Sequence, residues 1–119
     1  MDDFPEFLKN PKNAVPAGSH YVEGLEGFLY DGADESQIIL WKGRDAGVAE
    51  EHSHPYDEYI LTVQGEYILH MGGERISLKP GQEYLVPKGE KHYGERIANT
   101  RTIHAFGGKR AVRKSANKG

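Results

Sequence analysis

Short apolar-rich runs, each bounded by glycine, proline or charged residues, recur from residue 36 to residue 106. "SQIILWKG" (36–43), "DEYILTV" (57–63), "YILHM" (67–71), "RISL" (75–78), "EYLVP" (83–87) and "TRTIHAF" (100–106) are rich in β-branched and aromatic residues, which fit a pleated, half-buried surface, and predict strands. The connectors "QGE", "MGGE", "KPGQ" and "PKGEK" predict turns, and the paired glycines of "MGGE" suit positive φ. Strands this short, with turns about every eight to twelve residues, predict an all-β antiparallel sandwich or barrel. No segment accommodates a βαβ unit, so a parallel doubly wound sheet is not expected. One helical signal is present: Phe4, Phe7 and Leu8 fall at i, i+3 and i+4, enough for a short helical turn whose apolar side docks on the barrel or on a partner chain. Residues 10–19, "NPKNAVPAGS", predict a loop. The expected organisation is an N-terminal arm and lead-in strand over 1–35, a β-barrel over 36–108, and a basic, flexible tail over 109–119.

Length and charge narrow the classes. A chain of 119 residues makes one domain and buries a core without staples. It has no cysteine, which removes disulfides, thiolate metal sites and cysteine nucleophiles. The net charge is −3, but the tail "KRAVRKSANKG" carries five of the fifteen basic residues and no acid, leaving −8 on the rest. An acidic body argues against nucleic acid, which needs a basic face against phosphates. The tail reads as a solvated, frayed end rather than an arm for an anionic partner. No run approaches the length of a membrane span, and "MDDFPEFLKN" carries no leader-like apolar stretch, so the expected setting is cytoplasmic with no membrane partner.

The chemistry concentrates in "EHSHPYDEYILTVQGE" (51–66). On a strand, His52 and His54 would share one face, and Glu58 follows a short "PYD" bend. His92 comes after a Pro-x-Gly turn downstream. Alone, His-x-His fits an ordinary strand better than a ligand pair. Together, the imidazoles and the carboxylate form a mixed N/O donor set suited to one divalent transition ion: Fe, Mn, Ni, Co or Zn. Four protein ligands on an octahedral ion leave two positions for a small molecule.

Two segments resemble the paired motifs of the cupin superfamily. In "GVAEEHSHPYDEYILTVQG" (47–65), three residues separate His54 from Glu58 and six separate Glu58 from Gly65. In "GQEYLVPKGEKH" (81–92), Gly81 is followed by Pro87-x-Gly89 and then by His92. Two positions depart from the pattern: Gly47 stands one residue closer to His52 than usual, and Arg96 replaces a frequent asparagine. The resemblance implies a jelly-roll barrel, or double-stranded β-helix, in which His52, His54, Glu58 and His92 bind one metal ion. It also implies a small-molecule ligand or substrate inside the barrel and a homodimer. Oxygenase, isomerase and decarboxylase activities occur in the family, and dioxygenase-like chemistry is the leading expectation. A non-catalytic sensor and a structural metal staple are the other two classes. Residues 1–35 are too short and too rich in glycine and proline for a fused helix-turn-helix.

Three further residues are candidate catalytic groups: His104 and His70, both in strands, and Tyr93 beside the second motif. Tyr56, Tyr59 and Tyr84 are expected to pack, and Arg44 to lie at the surface or to clamp a carboxylate.

Overall fold

The computed structural model describes residues 1–16 and 24–113. Two antiparallel sheets face each other. The five-stranded sheet runs in the order β1 (Leu25–Asp31), β2 (Gln37–Gly43), β9 (Thr100–Phe106), β4 (Glu58–Gln64) and β7 (Glu83–Val86). The four-stranded sheet runs β3 (Gly47–Val48), β8 (His92–Arg96), β5 (Tyr67–Met71) and β6 (Glu74–Leu78). This is the expected all-β jelly roll, and all six strands read from the sequence are present. β1 pairs along its whole length with β2, so the barrel wall begins ahead of residue 36. The short β3 and the polar β8, "HYGER", add two strands with no apolar signature.

Alternation along the strands sends one set of side chains into the cup. Leu29, Ile39, Trp41 and Phe106 form one inner cluster with Val15. Ile60, Leu69, Leu78 and Val86 form a second. Gly65 and Gly89, with φ of 78° and 83°, turn the chain where a side chain would be strained.

The outer face of the five-stranded sheet is partly roofed by the N-terminal arm. Phe4 packs on Phe28 and Leu40, with Leu8 and Tyr30 beside it, and the Arg101 guanidinium lies 4.8 Å from its ring centroid. The expected amphipathic turn is only partly realised. Residues Glu6–Lys9 form a 3-10 turn, and Phe7 is 77% exposed. Phe4 precedes this turn, and Pro5 between them is extended at φ −56° and ψ 149°, so helical spacing does not set where Phe4 points relative to Phe7 and Leu8. Pro11–Asn13 form a second 3-10 turn, so residues 10–19 are not wholly irregular; 17–19 lie outside the described residues, as does His20. The tail also differs from a frayed end as far as it is described. The Gln37 side chain accepts hydrogen bonds from the backbone of Arg110 and Ala111 at 2.6 and 3.1 Å, and Arg113 pairs with Asp31 and Asn13. Lys114–Gly119 lie outside the described residues.

Candidate metal centre

The segment that carries His52 and His54 is not a strand. It runs irregularly from Ala49 to Asp57, and His52 alone makes an isolated antiparallel bridge to His92. That bridge, with backbone bonds of 2.9 Å in both directions, fastens the irregular segment to β8. Glu58 opens β4 in the opposite sheet with its side chain inward, in line with Ile60 and Thr62. Two sheets and one connecting segment therefore deliver the four side chains, and their donor atoms all lie within 4.8 Å of one another.

The ring tautomers follow from the neighbours. His52 Nδ1 lies 2.9 Å from the Glu50 carbonyl oxygen, and His92 Nδ1 lies 2.9 Å from that of Glu90. A carbonyl oxygen only accepts, so both Nδ1 atoms carry hydrogen. The Nε2 atoms are thereby turned toward the shared centre, the arrangement that orients metal-binding imidazoles in general. His54 Nε2 is buried with no hydrogen-bond partner, although it lies 3.5 Å from Glu58 Oε1. Its ring stacks on Tyr56 at a 5.1 Å centroid separation.

Glu58 is 3% exposed. Burial opposes its charge, but His104, His54 and His92 together hold its carboxyl well below the usual range, so it is an anion. Burial also works against charge on His92, yet the Glu58 carboxylate and the Glu90 carbonyl raise its pKa. Its Nε2 then donates to Glu58 Oε1 at 3.1 Å, holding a proton where an ion would displace one. Burial lowers the pKa of His52, and the neighbouring imidazoles of His92 and His54 lower it further. One anion, three imidazoles and a buried nitrogen with no partner fit a divalent ion of the N/O-binding transition series.

Of the candidate catalytic residues, the structure brings only His104 to the centre. Its Nδ1 donates to Glu58 Oε2 at 2.7 Å, and its Nε2 is buried without a partner. His70 and Tyr93 are placed elsewhere, away from the centre. They are paired across β5 and β8 between Leu69–Gly94 and Met71–His92, so alternation puts them on the outer face. There they stack on each other, and His70 Nε2 binds Glu95 at 2.7 Å. Arg44 is 82% exposed beside Asp45 and reaches nothing at the centre.

A cavity of about 80 Å³ adjoins the cluster and is bounded by His52, Glu58, Tyr67, Arg96, His104 and Phe106, among others. Tyr67, Trp41 and Arg110 line it without having been put forward as site residues, and Arg96, noted in the sequence only as a departure from the second motif, lines it too. Recognising "HYGER" as a strand would have found Arg96, which shares the parity of His92.

The fold and the site define a small β-barrel class with a His/Glu cluster that could hold a metal ion. The family model described as "Cupin domain" matches residues 40–104, more than half of the chain, and the chain belongs to the cupin family. Comparison with curated protein sequences gives no match. Among solved structures, the polyketide cyclase RemF from Streptomyces resistomycificus is similar with a TM-score of 0.69 and 17% identity, over 89% of this chain and 78% of that one. A cupin superfamily protein from Desulfitobacterium hafniense gives 0.66 and 20%, over 71% and 77%. KdgF from Halomonas sp. gives 0.64 and 19%, over 77% and 89%. At these identities the likeness establishes the fold alone.

Proposed function

We propose that this cupin is a metal-dependent enzyme that acts on a small organic molecule held in the barrel, with His52, His54, Glu58 and His92 binding one Fe, Mn, Ni, Co or Zn ion. The carrying observation is the convergence of four donor atoms beside a cavity, with two imidazoles fixed through Nδ1 and one buried Nε2 left unsatisfied. A bound ion of this kind supplies Lewis acidity or electron transfer at its open positions. The protein's own groups supply the rest. His104 Nε2 offers a lone pair to a hydroxyl or amine in the cavity, with Nδ1 anchored on Glu58. Burial raises the pKa of Tyr67, so its hydroxyl stays protonated and able to donate. Trp41 and Phe106 exclude water around these groups.

Within this reading, oxygenase, isomerase and decarboxylase chemistries remain the classes to assay, dioxygenase-like first. The RemF similarity adds ring closure of a polyketide to that panel. Metal analysis of untagged protein, followed by oxygen uptake and product analysis with diketones, thiols and aromatic diols, tests the proposal. A protein that takes up no transition ion overturns it; one that binds the ion and a small molecule without turnover is the sensor instead.

We infer a homodimer in a cytoplasmic setting as part of the same reading. Ile38, Ala105, Tyr59 and Leu85 lie side by side across β2, β9, β4 and β7 on the outer face, with Ile38 44% and Leu85 54% exposed. A second copy covering that row would bury it. Light scattering that gives a monomer mass at working concentration removes the dimer. Among the described residues no helix is long and apolar enough to cross a membrane.

A further inference from the structure

We infer that His104 is a positioning residue that holds Glu58 to single-oxygen ligation: its Nδ1–H takes Oε2, and Oε1 alone is left for the ion. This rests on the proposed metal centre and states how the carboxylate of that centre is set.

The β4–β9 ladder brings the two side chains together. Glu58 stands opposite Phe106 and Ile60 opposite His104, so Glu58 and His104 are diagonal neighbours on the inner face. Both are buried, at 3% and 5% exposure. The imidazole is confined there. Tyr67 meets it at right angles with a 5.2 Å centroid separation, and Phe106 lies 6.1 Å away. The fully buried Ile39 stands opposite it on β2.

The two carboxylate oxygens of Glu58 are thereby divided. Oε1 faces the donor cluster, 3.1 Å from His92 Nε2 and 3.5 Å from His54 Nε2. Oε2 faces His104 Nδ1 at 2.7 Å, a short bond to a charged acceptor. Turning Oε2 toward the cluster would break that bond and strand the Nδ1–H inside the barrel, where an unmade hydrogen bond is costly. The two oxygens therefore have separate partners before any ion arrives. Hydrogen bonds to ligating carboxylates preset their orientation in this way.

The consequence is an additional open position. One oxygen from Glu58 and one nitrogen each from His52, His54 and His92 make four protein donors. Both oxygens of Glu58 would make five. On an octahedral ion the first arrangement leaves two positions for small molecules and the second leaves one. His104 also lines the cavity beside the cluster. The residue that withholds Oε2 thus borders the space from which a guest would reach the position it keeps open.

The test replaces His104 in three ways. His104→Asn keeps an amide donor near the place of Nδ1, His104→Gln moves the donor out toward the place of Nε2, and His104→Leu removes it. Each protein carries glutamate labelled with carbon-13 at the side-chain carboxyl and is loaded with Mn or Zn, with uptake measured by titration calorimetry. Infrared difference spectra between loaded and ion-free protein then read the Glu58 carboxylate, and Glu58→Gln identifies its bands. One-oxygen ligation separates the antisymmetric and symmetric stretches widely; two-oxygen ligation brings them close. Wild type and His104→Asn are expected to give the wide separation, and His104→Gln and His104→Leu the narrow one. If His104→Leu does not fold, the contrast between His104→Asn and His104→Gln carries the test. A narrow separation in wild type overturns the assignment. So does a wide one in His104→Gln, or a His104→Asn spectrum that matches His104→Gln. Each of these results, obtained with ion bound, leaves the metal centre standing. Absence of uptake by wild type removes the centre, and this assignment with it.

Discussion

Removing the ion is the most direct perturbation of the proposed centre. Its donors come from a segment before β4, from β4 itself and from β8, so an ion bound to all four ties the two sheets together. A ligand that binds only the folded state stabilises it by about 2.7 kcal/mol when free ligand is a hundred times Kd. Unfolding entropy of roughly 2.1 cal/mol/K per residue gives about 250 cal/mol/K for a chain this long. The melting temperature should therefore rise by ~11 °C on loading to that level, and fall back on adding chelator. Glu58→Gln keeps the shape and removes the anion that His104 and His92 address at 2.7 and 3.1 Å. The metal-free variant should lose about 1.5–3 kcal/mol for the charged hydrogen bond from His104. Its rise on adding metal should shrink to a few degrees at the same ion concentration. Scanning calorimetry of both proteins, each dialysed free of metal and then titrated, reads all of these quantities. A wild-type shift below about 2 °C at saturating Zn, Mn or Fe would refute the reasoning, and so would an equal shift in the variant.

Three other outcomes are expected. Phe4→Ala removes a side chain 6% exposed between Phe28 and Leu40, and should cost about 3 kcal/mol in denaturant unfolding without altering metal content; a loss under 1 kcal/mol would mean that the arm does not dock. His70→Ala and Tyr93→Phe lie on the outer face and should leave ion affinity unchanged, and a tenfold drop in either would show that the assignment of faces is wrong. Lys42 and then Lys9 hold the Asp3 carboxyl well below its ordinary 3.8, so its stabilising contribution is present above that value and is lost as the pH falls through the depressed folded pKa. Asp3→Asn should flatten this part of the acid-unfolding curve, and an unchanged slope would remove the role.

Strands whose inner positions are apolar were legible because burial and alternation coincide, as in "SQIILWKG" and "TRTIHAF". β8 escaped because its inward positions are His92, Gly94 and Arg96, residues that no hydrophobic period marks. The four donor residues were legible from their spacing, but the reason they meet was not. His52 and His54 converge through a backbone bridge to His92, not through a shared strand face, and a bridge between residues 52 and 92 leaves no local trace. The same limit hid where Arg96 and Arg110 come to lie: room for the Arg96 side chain is left by Gly43 in the facing sheet, and the chain at Arg110 is held by Gln37, both distant in sequence.

These misses share one physical cause. A strand that lines a polar cavity cannot keep the apolar alternation by which strands are recognised, because its inward positions carry the chemistry. β8 is such a strand: it places His92 of the donor cluster at its start, a small residue against Tyr67 at its middle and a cation at its end. Gly94 illustrates the constraint, since a Cβ there would overlap the Tyr67 hydroxyl. The cup can therefore be polar along β8 only because the stability of the fold is carried elsewhere. Ile39, Ile60 and Leu69 are sealed at the inner surfaces of β2, β4 and β5, and Phe4 with Leu40 adds a second layer outside. Placing most of the apolar core on β2, β4 and β5 lets residues 92–96 carry a histidine and an arginine at inward positions.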